Sequence, residues 1–387
     1  MTRRSWIVTD VDRDLYVEQL ELGPADLGDA AAAFSLRKRT LRGGLRDGVD
    51  VIEVDNGLLR FTVVPDRGMG LWRAWLGELQ IGWQSPVKGP VNPRFVPLDA
   101  PSGIGWLQGF DELLCRCGLE SNGAPQFTRV GDLELPLHGR IANLPAHRVA
   151  IGLDKNSREI SVTGVVDEAR LFGNKLRLES TVTTRLGQPS LHIRDEITNL
   201  SDEPAELELL YHINFGHPLL EPGARVHAPV KTLAPRDDHS AGDVQTWSSY
   251  TEPRGGTREF AHFLELLSDP RGRTRVLLEA ADGRHGVSLE FNTRQLPCFT
   301  LWKSQLMPAD GYVTGLEPGI NFPNVKSFEK QQGRVAALAP GESRSFEIQL
   351  EAHATHGSVD EARQDVARLA QRGEAEIHDR PRAGWSS

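Results

Sequence analysis

Apolar and polar residues alternate with a period of two through most of this chain, and no other feature constrains its fold as strongly. In AELELLYHINF, Ala205, Leu207, Leu209, Tyr211 and Ile213 share one face, while Glu206, Glu208, Leu210 and His212 share the other. LRLESTVTTRL (176–186) alternates too, and a Gly-Gln-Pro-Ser turn leads from it into LHIRDEITNL. That spacing predicts an antiparallel hairpin. TRVLLEAADGRHGVSLEF predicts a second hairpin with Asp282-Gly283 in its connection. VIEVDNGLLRFTVVP predicts two strands around Asn56-Gly57, and SFEIQLEA (345–352) a late strand. The strand–helix rhythm of a doubly wound sheet is missing, and neither a repeat nor a Gly/Ser-rich linker divides the chain. The expected fold is all-β: one large, mostly antiparallel sandwich over residues 1–387, with a few short helices. About 1–50 would form an N-terminal extension, and about 357–387 a C-terminal helix and tail. That helix, SVDEARQDVARLAQRG, carries a capping box at Ser358 and Glu361. A short helix is also expected over the alanines within Asp26–Leu36.

Charge and cysteine content narrow the function. Lys+Arg number 44 against 53 Asp+Glu, a net charge of −9. That argues against nucleic acid or an anionic membrane as partner. The run Arg37, Lys38, Arg39, Arg42 and Arg46 is basic but short, and reads as a solvated face. Three cysteines exclude a disulfide framework, and no C-x-x-C pair suggests zinc. The start of the chain lacks the apolar run of a secretory signal, and no segment approaches a membrane span, so the cytoplasm is the default.

Four segments are too polar and glycine-rich for their surroundings. VVPDRGMGL turns the chain between strands, and its Arg67 either reaches a ligand or pairs with a carboxylate. No helix follows its glycines, so it is no phosphate cradle. LLCRCGLESNGAP holds a turn at Asn122-Gly123; LPLHGRIANLPAH follows, with His138 and Arg140 two residues apart. On an extended segment the pair points to one side and can donate to one sugar or carboxylate; a loop arginine tied to backbone carbonyls is the equal alternative. YHINFGHPLL puts His212 at a strand end, where binding loops concentrate. His212 with His217, and His353 with His356, lack a companion carboxylate at metal-binding spacing, so no metal site is expected. Lys303 and Trp302 then precede GLEPGINFPN, in which Glu317 stands before a proline and Asn321 follows. Trp72, Trp75, Trp83 and Trp302 serve either as a sugar platform or as core. Acyl transfer, nucleotide chemistry and hydride transfer all lack their motifs. Proton transfer without a cofactor remains the chemistry these side chains can run.

In order and spacing these segments resemble the galactose mutarotase-like superfamily, in its aldose 1-epimerase-like branch with a domain of unknown function (DUF4432), over residues ~55 to ~350. The resemblance implies a β-supersandwich and an isomerase that opens and recloses a sugar ring to interconvert anomers. It implies His212 as general acid, Glu317 as general base and His138 as a substrate-binding histidine, with no cofactor. Arg140, Arg67, Asn122, Lys303 and Asn321 complete the candidate binding set. An Asp gripping distal hydroxyls is also implied; Asp237, Asp238 and Asp282 all fall in the right interval. The expected partner is a monosaccharide or sugar derivative, and a homodimer is left open. The alternatives are a lyase or isomerase of an oxidised or modified sugar, with Lys303 steadying an enolate, and a non-catalytic carbohydrate-binding protein on the same fold.

Overall fold

The computed structural model describes residues 3–28 and 32–386. It holds two large sheets, one of 10 strands and one of 14. Their ladders are antiparallel apart from a short pairing of Thr232–Leu233 with Glu376–Ile377. The alternation seen in sequence sorts side chains as expected. Val162, Leu178 and Ile193 of the smaller sheet meet Leu209, Tyr211 and Ile213 of the larger one in a single buried cluster. The three hairpins form as read: Lys175–Arg185 pairs with Ser190–Asn199, Arg273–Glu279 with Gly286–Asn292, and Asp50–Asp55 with Leu59–Val64. Ser343–His353 lies between two of these strands in the smaller sheet.

Both ends of the chain are built into the sandwich more deeply than the alternation suggested. Arg3–Asp10 pairs with Arg148–Asp154 in the smaller sheet, and Ser35–Thr40 pairs with Asp50–Asp55 in the larger. The first 50 residues therefore extend an edge of each sheet. At the other end, Trp385 packs 5.0 Å from Phe322, and its carbonyl accepts from Asn324 Nδ2. The late helix spans His356–Ala370 and is capped three residues earlier than expected. Thr355, not Ser358, accepts a backbone N–H, that of Ser358 itself. Its Val359, Ala362 and Val366 pack on Leu277 of the smaller sheet. Near the N-terminus a helix covers only Pro24–Leu27; the alanines at 30 and 31 lie outside the described residues.

The basic run is also sorted by alternation. Lys38 is buried against Asp50, while Arg37, Arg39 and Arg42 pair with Glu21, Glu53 and Glu18.

One polar cluster joins the sheets through the core. Arg116, on Leu114–Leu119 of the larger sheet, donates through Nη2 to Asp195 Oδ1 at 2.9 Å and to Ser180 Oγ at 2.8 Å, both on the smaller sheet. Its Nη1 donates to the carbonyls of Gly68 and Met69, and Tyr211 donates to Asp195 Oδ2. Arg116 and Asp195 are sealed from solvent. Asp195→Ala would strand a buried guanidinium, so a loss of about 3–5 kcal/mol in urea unfolding is expected. A loss below about 1 kcal/mol would show that the clamp is dispensable.

Candidate functional site

The site lies on the face of the larger sheet that points away from the shared core. Ala205–Phe215 and Tyr312–Gly319 are antiparallel neighbours with Ile213 opposite Leu316 and Leu210 opposite Gly319. That register sets His212 directly across from Glu317. Thr300 flanks Glu317 on the next strand, and Cys115 flanks His212 on the other side. Four adjacent strands thus present one row, Thr300–Glu317–His212–Cys115, to the same face.

Thr300, Glu317 and His212 of this row floor a cavity of about 520 Å³, whose wall includes Trp106, Phe110, His138, Arg236, Asp237 and Trp302. His212 Nε2 sits 3.2 Å from Glu317 Oε1. Pairing on adjacent strands puts the two in direct contact. Even so, Glu317 Oε1 has no hydrogen-bond partner. Space for its carboxyl comes from Gly315, two residues earlier on the same face. A Cβ there would come within 2.2 Å of Glu317 Oε1 and 3.2 Å of His212 Cε1.

Hydrogen bonds fix the imidazole tautomers. Asn214 Nδ2 donates to the Glu112 carbonyl at 3.0 Å, so its Oδ1 faces His212 Nδ1 at 2.6 Å. Nδ1 therefore carries the proton and Nε2 faces Glu317. His138 Nδ1 donates to the Asn122 carbonyl at 2.9 Å, leaving Nε2 as an acceptor. Aromatic rings surround both: Phe110 lies 5.0 Å and Trp302 5.5 Å from His212, and Trp106 lies 4.7 Å from His138. Burial, with His138 adding to it, lowers His212 to about 3. Burial lowers His138 to about 4. Burial pushes Glu317 well above the carboxylate range, against the pull of Arg236. The resting proton of the pair thus sits on Glu317, with His212 neutral. The imidazolium–carboxylate form expected from sequence is the other tautomer of the same one-proton state.

The other candidates scatter. Arg67 is wholly buried and lines no part of the cavity. It pairs with Glu112 and donates to Asn143 Oδ1 and the Gly109 carbonyl, so it braces the loop that carries Trp106 and Phe110. Lys303 points to the opposite face from Trp302 and pairs with Asp243 at 2.6 Å in the interior, so it is not placed to steady an enolate in the cavity. Arg140 turns outward to Asp99. Its segment is not extended, because His138 and Gly139 adopt φ of 58° and 71°. Asn122 and Asn321 are buried beneath the site and bond to each other, with Asn321 also donating to Glu208. Asn122 reaches the site only through its carbonyl, which orients His138. Among the tryptophans, only Trp302 of the four expected faces the cavity. Trp83 lies below it, with its Nε1 on the Glu112 carbonyl, while Trp72 and Trp75 stack on Arg73 and Arg60.

Sequence reasoning missed Trp106, Phe110, Thr300, Arg236 and Glu259, and left Asp237 undecided among three. Asp237 lines the cavity, whereas Asp238 begins a short helix and Asp282 caps an exposed turn. Arg236 Nη2 donates to Asp237 Oδ2 and to Glu259 Oε1, each at 3.1 Å. Despite partial burial, the Ser240 N–H and Arg236 hold Asp237 below the usual carboxylate range. The polar run Arg236-Asp237-Asp238 after an apolar strand was the available signal. Among the described residues no cluster of three or more His, Cys, Asp or Glu could hold a metal, and no helix is long and apolar enough to cross a membrane.

Residues 46–352 match the family model for a domain of unknown function, DUF4432. A Klebsiella pneumoniae structure, provisionally titled an aldose 1-epimerase, is 32% identical over 98% of this chain and 99% of its own, with a TM-score of 0.95. A galactose mutarotase-like protein from Clostridium acetobutylicum shares the fold at 17% identity, covering 83% of this chain and 98% of its own, TM-score 0.56. A galactose mutarotase related enzyme from Lactobacillus acidophilus does so at 13% identity, covering 79% and 98%, TM-score 0.53. No curated protein matches the chain.

Two substitutions probe this geometry. At pH 7 the buried Glu317 costs stability, because its folded pKa is raised and the unfolded state releases its proton more readily. Glu317→Gln removes that cost, so Tm is expected to hold or rise at pH 7, with the gain shrinking below pH 4.5. A clear fall in Tm would mean the carboxylate is paired in a way the structure does not show. Gly315→Ala is expected to displace the Glu317 carboxyl, which a crystal structure of the variant would reveal.

Proposed function

The chain belongs to the DUF4432 family, and on that premise we propose that it is an aldose 1-epimerase-like isomerase that interconverts sugar anomers by ring opening and reclosure. The observation that carries this reading is the His212–Glu317 pair. An imidazole and a carboxyl meet at 3.2 Å on the floor of a cavity, and the carboxyl oxygen that faces the imidazole has no hydrogen-bond partner. Mutarotation needs no more than this. One group delivers a proton to the ring oxygen while the other takes the proton of the anomeric hydroxyl. The C1–O5 bond breaks as C1=O1 forms, C1 turns about its bond to C2, and the reverse transfers reclose the ring on the other face.

By the family pattern His212 protonates the ring oxygen and Glu317 serves the anomeric oxygen. The proton first passes from Glu317 to Nε2 across 3.2 Å, assisted by the positive charge of Arg236, the one charge that lowers the carboxyl pKa. Ring opening then returns the pair to its resting form, and closure reverses it. Asn214 keeps Nε2 aimed at the reaction throughout. His138 Nε2 accepts from a sugar hydroxyl, and the unpaired Trp106 Nε1 and Thr300 Oγ1 offer further hydrogen bonds. Trp302 and Phe110 supply apolar surface for the ring face. Asp237 takes the part of the distal-hydroxyl aspartate.

Charge on the wall favours a neutral sugar. Arg236 is already held by Asp237 and Glu259, so a phosphate or carboxylate would meet two carboxylates around one guanidinium. Arg67, Arg140 and Lys303, the cations among the candidate binding residues, do not line the cavity.

Saturation-transfer NMR on a panel of aldoses is expected to show accelerated anomer exchange. Glu317→Gln should lower it by at least about 100-fold. Activity should hold above about pH 4, where both His212 and His138 are neutral, and fall at high pH only when the singly protonated pair loses its proton at the raised Glu317 pKa. No acceleration with any aldose by folded protein overturns the reading, and equal sugar affinity in wild type and Glu317→Gln would then favour simple binding.

A further inference from the structure

A second cavity, of about 420 Å³, lies where the Gly43–Arg46 turn meets Arg73 and the 84–89 loop. Its lining carries three cations, Arg46, Arg73 and Lys88, and no carboxylate. In the basic run that contains Arg46, Arg37, Lys38, Arg39 and Arg42 each hold an acidic partner. Arg46 and Lys88 hold none among the described residues. The Arg73 guanidinium lies over the Trp72 ring at 4.3 Å, and its Nε is buried without a hydrogen bond. Of the neighbouring acids, Asp47 takes Arg94 and the Gly43 N–H, and Asp111, whose carboxyl lies beside Gly89 and within the influence of Arg73, takes the Trp72 indole N–H. Gly43 and Gly44 leave one wall as bare backbone. Both have positive φ, 84° and 62°, and a Cβ on either would meet open space.

Three positive charges gathered in one concavity repel each other, and a chain of net charge −9 has ample acid to neutralise them if solvent exposure were their only role. The charge there suits a dianion. Two guanidinium groups and an ammonium are the kind of donors that the oxygens of a phosphate group take, and the volume suits a small molecule. We propose that this cavity binds a small phosphate-bearing anion, at a site separate from the His212–Glu317 cavity. The inference does not depend on the proposed isomerase activity.

Calorimetric titration of the full chain in phosphate-free and sulfate-free buffer tests it, with inorganic phosphate and glucose 6-phosphate as separate probes and glucose as the neutral control. One saturable site is expected for at least one anion, weakening as salt rises from about 50 to 200 mM. Tighter binding of the sugar phosphate marks an ester as the ligand, and equal binding marks phosphate itself. The double variant Arg46→Gln/Lys88→Gln alters two exposed side chains without partners, so its Tm should be unchanged while affinity falls at least about tenfold. Arg236→Gln should bind as wild type does. No saturable binding of either anion overturns the proposal. So does binding that survives in the double variant and is lost in Arg236→Gln, because that would seat the anion in the catalytic cavity.

Discussion

The buried bond between Arg116 and Asp195 sets the geometry on which the rest of the molecule depends. It crosses from one sheet to the other through the core, and all its strong donors and acceptors are satisfied there. Such a pair adds little net stability over well-packed apolar residues; its value is that only one alignment of the sheets satisfies it. The strands that carry it also carry the site. Arg116 stands between Cys115 and Cys117, which face the other way toward the cavity floor. Tyr211, bonded to Asp195, is followed by His212.

From this clamp a continuous set of contacts reaches the imidazole. Arg116 holds the carbonyls of Gly68 and Met69. Arg67, next in the same turn, pairs with Glu112. The Glu112 carbonyl holds Asn214, and Asn214 holds His212. Each step is a buried contact, so the orientation of Nε2 is inherited from the core by way of the Arg67–Met69 turn and Glu112. This is the support that proton transfer over a short distance requires.

Against that rigid background, the cavity leaves polar groups unsatisfied: Glu317 Oε1, Thr300 Oγ1 and Trp106 Nε1. Leaving buried polar atoms unpaired costs stability, and a sugar's hydroxyls are suited to satisfy them. The raised Glu317 pKa belongs to the same pattern, in which a carboxyl is kept in an environment that stability alone would not favour.

Alternation along the chain determined the strands, the three hairpins, and the face on which His212 would stand, because a period of two is a local property of pleated backbone. Short ordered motifs determined the resemblance that singled out Glu317 and His138. Only the tertiary structure decided which charged residues work at the surface. For Arg67 the sequence left a ligand and a carboxylate partner open, and Lys303 was a binding candidate; each is buried against a carboxylate far away in sequence, Glu112 and Asp243. Arg140 was diverted by two residues of positive φ, and Asn122 contributes a carbonyl where a side chain was expected. The cavity wall, from Trp106 to Arg236 and Glu259, comes from loops without periodicity. Strand register, long-range ion pairing and loop packing are relations between distant segments, so no single stretch of sequence encodes them.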